Sequence, residues 1–365
     1  MRKVITIAFL ILAAAMTVIL YIRSDELNTP VSEKYMKVGV LLSGSRADKN
    51  YCQAHYEALE SLRNDFKNLD IVYRENVVGD CYPDIISLIR DENCKVIVGV
   101  SFQFGDDMKR AAAQYPDVYF LHAGGTEARS NLSSFFGRVY QTRYLLGIIA
   151  GMKTRTGQLG YVAAYSIPEV IRGINAFTLG VRSVRPDAVV HVRYCYSWTD
   201  DEAAGGACAE LLERHPIDVM AMHTNSLAPH KEADRRGVWS LGCNRDSAED
   251  FPNTYLTACV WQWHDCYYKQ ILDCLQGKFH GSNVWMDIND GIVALSAPTR
   301  HVDARAMEAV KAVNRKLHDR TFDVFYGPIR DNTGNIRIEK GESMSDSEML
   351  DGFFWYVEGV TIEGN

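Results

Sequence analysis

What the sequence lacks narrows its chemistry first. Its nine cysteines form no C-x-x-C pair and show no Cys–His spacing of the kind that holds zinc. There is no G-x-S-x-G elbow, no Walker A loop, no H-E-x-x-H, no clustered acidic metal motif and no G-x-G-x-x-G after a strand, so the familiar hydrolytic, phosphate-binding and dinucleotide-binding patterns are missing. His264-Asp265-Cys266 contains catalytic residue types, but adjacent residues on a helix point in different directions, so a helix N-terminal turn is the expected role. Basic charge is in deficit: 39 Lys and Arg against 46 Asp and Glu leave a net −7. Such a chain has no basic footprint with which to neutralise phosphate backbones, which argues against nucleic acid as a partner. No low-complexity tract or short-period repeat is present. A hydrophobic fraction of 47% with 23% charged residues is ordinary globular composition, and 365 residues suit two lobes better than one domain.

One long apolar run does occur. Arg2 and Lys3 precede an uncharged stretch from Val4 to Ile22 whose only polar members are Thr6 and Thr17. About 20 such residues span a bilayer core as a helix, and the basic residues before it favour an outward-facing remainder. The run reads as a retained signal-anchor. A cleaved signal peptide is the alternative, although Ala13-Ala14-Ala15 lies in the middle of the run rather than behind it. No cysteine follows closely enough to carry a lipid. Residues 24–35 form a polar tether. Outside the membrane disulfides become possible; buried thiols are the main expectation, with Cys52–Cys81 and Cys195–Cys208 as candidate bridges.

From residue 36 short apolar β-rich runs alternate with amphipathic stretches. Strands are expected at 36–43, 71–76, 95–100 and 117–122, with helices at 51–66, 83–91 and 106–115 between them. The nearly continuous apolar run KVIVGV suits a strand buried on both faces. The pattern repeats with helix 141–154, strand 158–164, helix 168–185, strand 189–196, helix 201–214, strand 217–222, helix 229–236, strand 238–243, strand 255–260 and helix 264–276. The fold class is therefore α/β, with parallel sheets and right-handed crossovers in two successive units. After a helix at 302–318, GPIRDNTGNIR reads as a turn-rich hairpin.

Ligands in such sheets bind beyond the carboxyl ends of the strands. Those segments here carry aromatic and amide side chains: Tyr51 and His55 one helical turn apart, Ser101-Phe102, Tyr196 to Asp200 around Trp198, His223-Thr224-Asn225-Ser226, Asn244 and Asp246, and then Trp261 and Trp263. Any one aromatic is more simply explained by packing. The recurrence of such clusters at strand ends points to a ligand site. Aromatics there suit a flat ring, since stacking on a base contributes about 1–3 kcal/mol, and Asn, Ser and Thr can read its edges.

The stretch FFGRVYQTRYLLGIIAGMKTRTGQLGYVAAYSIPEVIRGINAFTLGVRSVRPDA (135–188) closely resembles the basic membrane protein family of ABC-importer solute-binding proteins, in the branch associated with purine bases or nucleosides. S-W-x-D (197–200), H-T-N-S-x-A-P (223–229), G-x-N-x-D (242–246), W-x-W with Tyr267, GPIRDNTG and WYVEGV support it. The resemblance runs from about residue 36 to the end. It implies a type I periplasmic-binding-protein fold, with two Rossmann-like lobes and a three-strand hinge near 138–141, 258–262 and 290–296. One lobe would comprise 36–139 plus 262–292. The other would comprise 140–260 plus part of 293–365.

The resemblance assigns ring stacking to Tyr51, where similar proteins tend to carry Trp, and to Trp198. His55, Ser101, Phe102, Thr224, Asn225, Asn244, Asp246, Trp261 and Trp263 complete the expected binding set. Asn225 stands where the family pattern has an acid. Trp263-His264-Asp265-Cys266-Tyr267 departs from the family's aromatic run. No basic residue toward a ribose is evident in the region of Trp261, which favours a free base. The implied function is capture of a purine-like small molecule by lobe closure outside the cytoplasm and delivery to a membrane permease, by a monomer with no cofactor, no metal and no catalysis. A sensor informing a membrane receptor is the alternative, and a nucleoside-processing enzyme comes third.

Overall fold

The computed structural model describes residues 14–17 and 29–364. The apolar run 4–22 lies outside them apart from the exposed helical residues 14–17, and among the described residues no helix is long and apolar enough to cross a membrane.

The chain opens with β1 (Met36–Leu41), α1 (Tyr51–Ser61), β2 (Leu69–Arg74), α2 (Tyr82–Arg90), β3 (Val96–Gly99), α3 (Gly105–Gln114), β4 (Tyr119–Ala123) and β5 (Leu132–Gly137). It continues with α4 (Val139–Lys153), β6 (Gln158–Ala163), α5 (Pro168–Val184), β7 (Val189–Tyr194), α6 (Asp201–Arg214), β8 (Val219–His223), α7 (Ala228–Arg235), β9 (Trp239–Asn244) and β10 (Tyr255–Trp261). The remaining elements are α8 (His264–Gln276), β11 (Asn283–Met286), β12 (Val293–Leu295), α9 (Ala304–His318), the hairpin β13 (Ile329–Arg330) and β14 (Ile336–Ile338), α10 (Asp346–Asp351) and β15 (Val360–Ile362).

Two sheets result. The first has the order β11-β5-β4-β3-β1-β2 and is parallel throughout. The second runs β12-β10-β9-β8-β6-β7-β15 and is parallel except at its β12 edge. Both contain the doubly wound order 2-1-3-4-5, so each has a switch point between its first and third strands. Their central strands are buried almost throughout, as the Val-Ile runs require. The chain passes between lobes three times: at Arg138 between β5 and α4, at Gln262 between β10 and α8, and through 287–292 between β11 and β12.

Helices α4 and α5 pack closely because glycines face each other. A Cβ on Gly147 would lie 2.1 Å from the Phe177 carbonyl oxygen, and one on Gly180 would lie 2.1 Å from that of Tyr144. One continuous apolar core runs from the first sheet through Trp261 and Trp263 into the second. It couples the hinge to both lobes.

Two expectations need correction. All nine cysteines are free thiols, and neither Cys52–Cys81 nor Cys195–Cys208 is bridged. Burial raises the Cys52 and Cys208 thiols to about 12, so they behave as small hydrophobes. His264 does bond its neighbour: Nδ1 lies 2.8 Å from Asp265 Oδ1, while Nε2 lies 3.0 Å from Asp65 Oδ2. At a helix start the side chains are free enough to meet. The pair is largely exposed, however, and Cys266 packs toward the core.

Candidate functional site

A cavity of about 220 Å³ lies between the two sheets at the carboxyl ends of their strands. Its first-lobe wall follows β1 and β3. Asp48 caps α1, accepting from Asn50 N at 2.8 Å, Cys52 N at 3.0 Å and Gln53 N at 3.0 Å. This holds Tyr51 at the start of the helix, where its ring lines the cavity. Ser101 and Phe102 line it from the next strand end, and His122 Nε2 steadies that loop at 2.8 Å from Ser101 O.

The second-lobe wall is built around Trp198. Ser197 Oγ accepts from Thr199 N (3.2 Å) and Asp200 N (3.0 Å), and Asp200 caps α6 by accepting from Ala203 N at 3.0 Å. The S-W-x-D segment is thus a turn feeding a helix N-cap. Thr224 is fully buried behind it and donates to Trp198 O at 2.8 Å. Asn225 lines the cavity, and its backbone N–H donates to the same carbonyl at 2.7 Å. Asn244 adopts the left-handed φ of 69° that Asn tolerates. Its amide accepts from Trp261 Nε1 at 2.9 Å and donates to Asn225 Oδ1 at 3.0 Å and, across the lobes, to Asn50 Oδ1 at 2.7 Å. Hinge, second lobe and first lobe therefore meet on one side chain.

The structure thus brings Tyr51, Ser101, Phe102, Trp198, Asn225, Asn244 and Trp261 to one cavity. It leaves His55, Thr224, Asp246 and Trp263 off the wall. His55, Trp263 and Trp261 form a stacked column, with centroids 4.2 Å apart in the first pair and 4.6 Å in the second. Only Trp261 reaches the cavity. His55 is bonded to the Tyr267 hydroxyl at 2.7 Å, and burial holds it neutral. Asp246 turns to the other side of the hinge, where it accepts from Ala248 N at 3.2 Å.

Wall residues that had not been singled out include Tyr165, Glu169 and Phe136. The first two follow β6, and applying the strand-end argument to AYSIPE would have found them. Glu169 lies in the first turn of α5, behind Pro168. Burial works to raise its carboxyl, but His223, Arg172 and Arg143 together outweigh that and hold it below the usual range. His223, itself buried and facing the positive charge of Arg143, is lowered to about 4 and is neutral at pH 7. Phe136 ends β5 and packs on Trp261 with centroids 4.7 Å apart.

Ion pairs also link the lobes beside this cavity, away from its wall. Lys49 Nζ meets Asp250 Oδ1 at 2.5 Å, and Arg245 grips Glu57 through Nη2 at 3.0 Å and Nε at 3.2 Å. Each joins one lobe to the other. A larger hollow of about 1030 Å³ lies elsewhere, between α4, α9 and the C-terminal segment. It is lined mainly by helix and C-terminal residues, and although Tyr140, Tyr144, Trp285, Phe322 and Tyr326 contribute rings, Gln141 is its one amide.

Comparison with known proteins agrees with this geometry. The Bmp family, described as ABC transporter substrate-binding protein PnrA-like, matches residues 35–322. A purine-binding protein of Brucella abortus is 30% identical over 332 residues, covering 90% of this chain and 94% of that protein. A Haloferax volcanii protein provisionally named as an ABC transporter glucose-binding protein is 30% identical over 313 residues, covering 86% and 77%. Among solved structures, an ABC transporter solute-binding protein of Aeropyrum pernix superposes with a TM-score of 0.69 at 18% identity, over 83% of this chain and 94% of that one.

Proposed function

The chain belongs to the Bmp family of PnrA-like ABC transporter substrate-binding proteins, and from that premise we propose that it captures a free purine base outside the cytoplasm, by closing two lobes over it, and hands it to a membrane permease without chemical change. The observation that carries this reading is the size and lining of the cleft. At about 220 Å³ it is smaller than the roughly 300–1,000 Å³ of sites for drug-sized ligands, which suits one fused ring without a sugar. Tyr51, Phe102, Trp198 and Trp261 offer ring faces and edges, and Asn225 and Glu169 offer polar atoms for the ligand's rim.

Closure follows from linkage. A ligand touching both walls binds the closed form better and shifts the hinge toward it. The ion pairs between the lobes and the Asn244–Asn50 bond join the two lobes and would favour that state. The relative of known purine binding supports the ligand class; the relative named for glucose makes a sugar the second reading, since ring faces and amides also suit pyranose rings.

A thermal-shift screen of the purified protein against purine bases, nucleosides, riboflavin, sugars and amino acids tests the proposal. Ligand at 100 times its Kd adds about 2.7 kcal/mol to the folded state. The expected result is a saturable rise in Tm with a purine base, weaker with its nucleoside and lost in Trp198→Ala. A rise with glucose alone would leave the clamp intact and overturn the purine assignment.

A further inference from the structure

We propose that Glu169 makes the cleft charge-selective: it admits neutral or cationic ligands that offer an N–H or O–H donor, and it turns anions away. The inference rests on the capture reading and deepens it. The cavity wall carries one carboxylate, Glu169, and no Lys or Arg. A ligand phosphate or carboxylate would therefore enter a partly dry site holding a like charge and no countercharge.

The carboxylate is also short of donors. Among the described residues its nearest cationic-type neighbour is His223 Nε2 at 3.8 Å, beyond hydrogen-bond length. The side chain is still 26% exposed toward the cleft. The buried guanidiniums behind it are committed to main-chain carbonyls. Arg143 Nη1 donates to Met222 O at 2.7 Å, and Arg172 Nη1 donates to Met349 O at 2.5 Å. Their field, with the positive end of α5, favours the ionised form without supplying a bond. Half-buried carboxylate oxygens without donors are costly. A ligand N–H approaching from the open side can donate to Glu169.

Two matched pairs test the rule with the whole protein: adenine against urate, which is an anion at neutral pH, and glucose against glucuronate. Isothermal titration at pH 7.5 should find the neutral member bound and its anionic partner at least 100-fold weaker. Glu169→Gln should weaken the neutral ligand roughly 10- to 100-fold, the range for a lost charge-assisted hydrogen bond, and should narrow the gap to the anion. Glu169→Asp should keep the rejection of anions, and circular dichroism of both variants should match the parent. The rule is overturned if urate binds like adenine, or glucuronate like glucose, or if Glu169→Gln leaves the neutral-to-anion ratio unchanged. A glucose response without an adenine response removes the purine assignment and leaves the charge rule standing. Silence of both pairs removes both.

Discussion

The wall of the cleft contributed by the first lobe presents Ser43, Tyr51, Ser101, Phe102 and Phe136, none charged at pH 7. The wall contributed by the second presents Trp198 and Tyr165 together with Glu169, His223 and Asn225. Both walls stand on sheets with the same internal strand order. Identical topology therefore supports different chemistry, because the topology fixes where the strand ends emerge and the loops after them decide what emerges. On the proposed reading the first wall offers mostly surface to a ring and the second reads its edge. The second is also the more constrained, since Trp198 is held from behind by Thr224 and Ser197, and Glu169 by a helix start.

Acid provides the largest expected effect on this comparison. Both lobes bury neutral histidines: His55 and His122 in the first, His223 and His230 in the second. Burial is the leading cause in each, lowering His223 to about 4 and His230 to about 3. A depressed histidine pKa means that the unfolded chain takes up protons that the native state refuses. Stability is therefore full above the unfolded value near 6.5 and falls as pH drops below it. At pH 5 His223 and His230 each cost about 2 kcal/mol. Chemical denaturation between pH 7.5 and 5 should show a loss of about 4 kcal/mol from these two. A flat profile down to pH 5 would mean that these sites open to solvent.

The next effect separates the walls directly. Trp198→Ala removes a ring that lines the cavity, so on the proposed reading affinity should fall by about 1–3 kcal/mol of stacking. Phe102→Ala, on the first wall and 49% exposed, should cost less. Titration of both variants decides it, and the reverse order would place the main stacking surface in the first lobe.

Asn244→Ala tests the side chain at which the walls meet. It removes bonds to Trp261, Asn50 and Asn225 and leaves the Trp261 indole N–H without its partner. A loss of about 1–3 kcal/mol is expected. It should appear in both Tm and ligand affinity, because the bond to Asn50 joins the two lobes. A drop in Tm with unchanged affinity would show that the amide matters to the second lobe alone.

The smallest effect belongs to the rim. Arg245→Glu should weaken binding by no more than about 1 kcal/mol, as exposed ion pairs do. Adding Glu57→Arg should restore it, and raising salt should shrink the difference. A loss that survives high salt and the charge swap would point to packing rather than charge.

Much of the fold was legible in the sequence because each lobe is built from strong periodic signals. α6 and α8 match their expected ranges at 201–214 and 264–276. β5 was missed although it lies inside its sheet. Ser133 and Ser134 interrupt its apolar run, yet both are buried, and Ser134 Oγ donates to the Glu127 carbonyl. Polar residues satisfied by the tertiary structure look like loop residues in a linear reading. β11, β12 and β15 were missed for a different reason: with three or four residues each, they are too short to show a period.

For the site, the sequence by itself determined that rings and amides gather at strand ends, since hydrophobic period locates those ends and the α/β arrangement puts them all on one side. It could not determine which rings face the ligand. Tyr51 and His55 are one helical turn apart, and Trp261 and Trp263 are two residues apart, yet one of each pair lines the cleft while the other stacks behind it. Spacing along the chain gives a side chain's direction relative to its own helix or strand. Whether that direction ends in a cavity or in another ring depends on how two lobes, distant in sequence, pack around the hinge, and only the tertiary structure decided that.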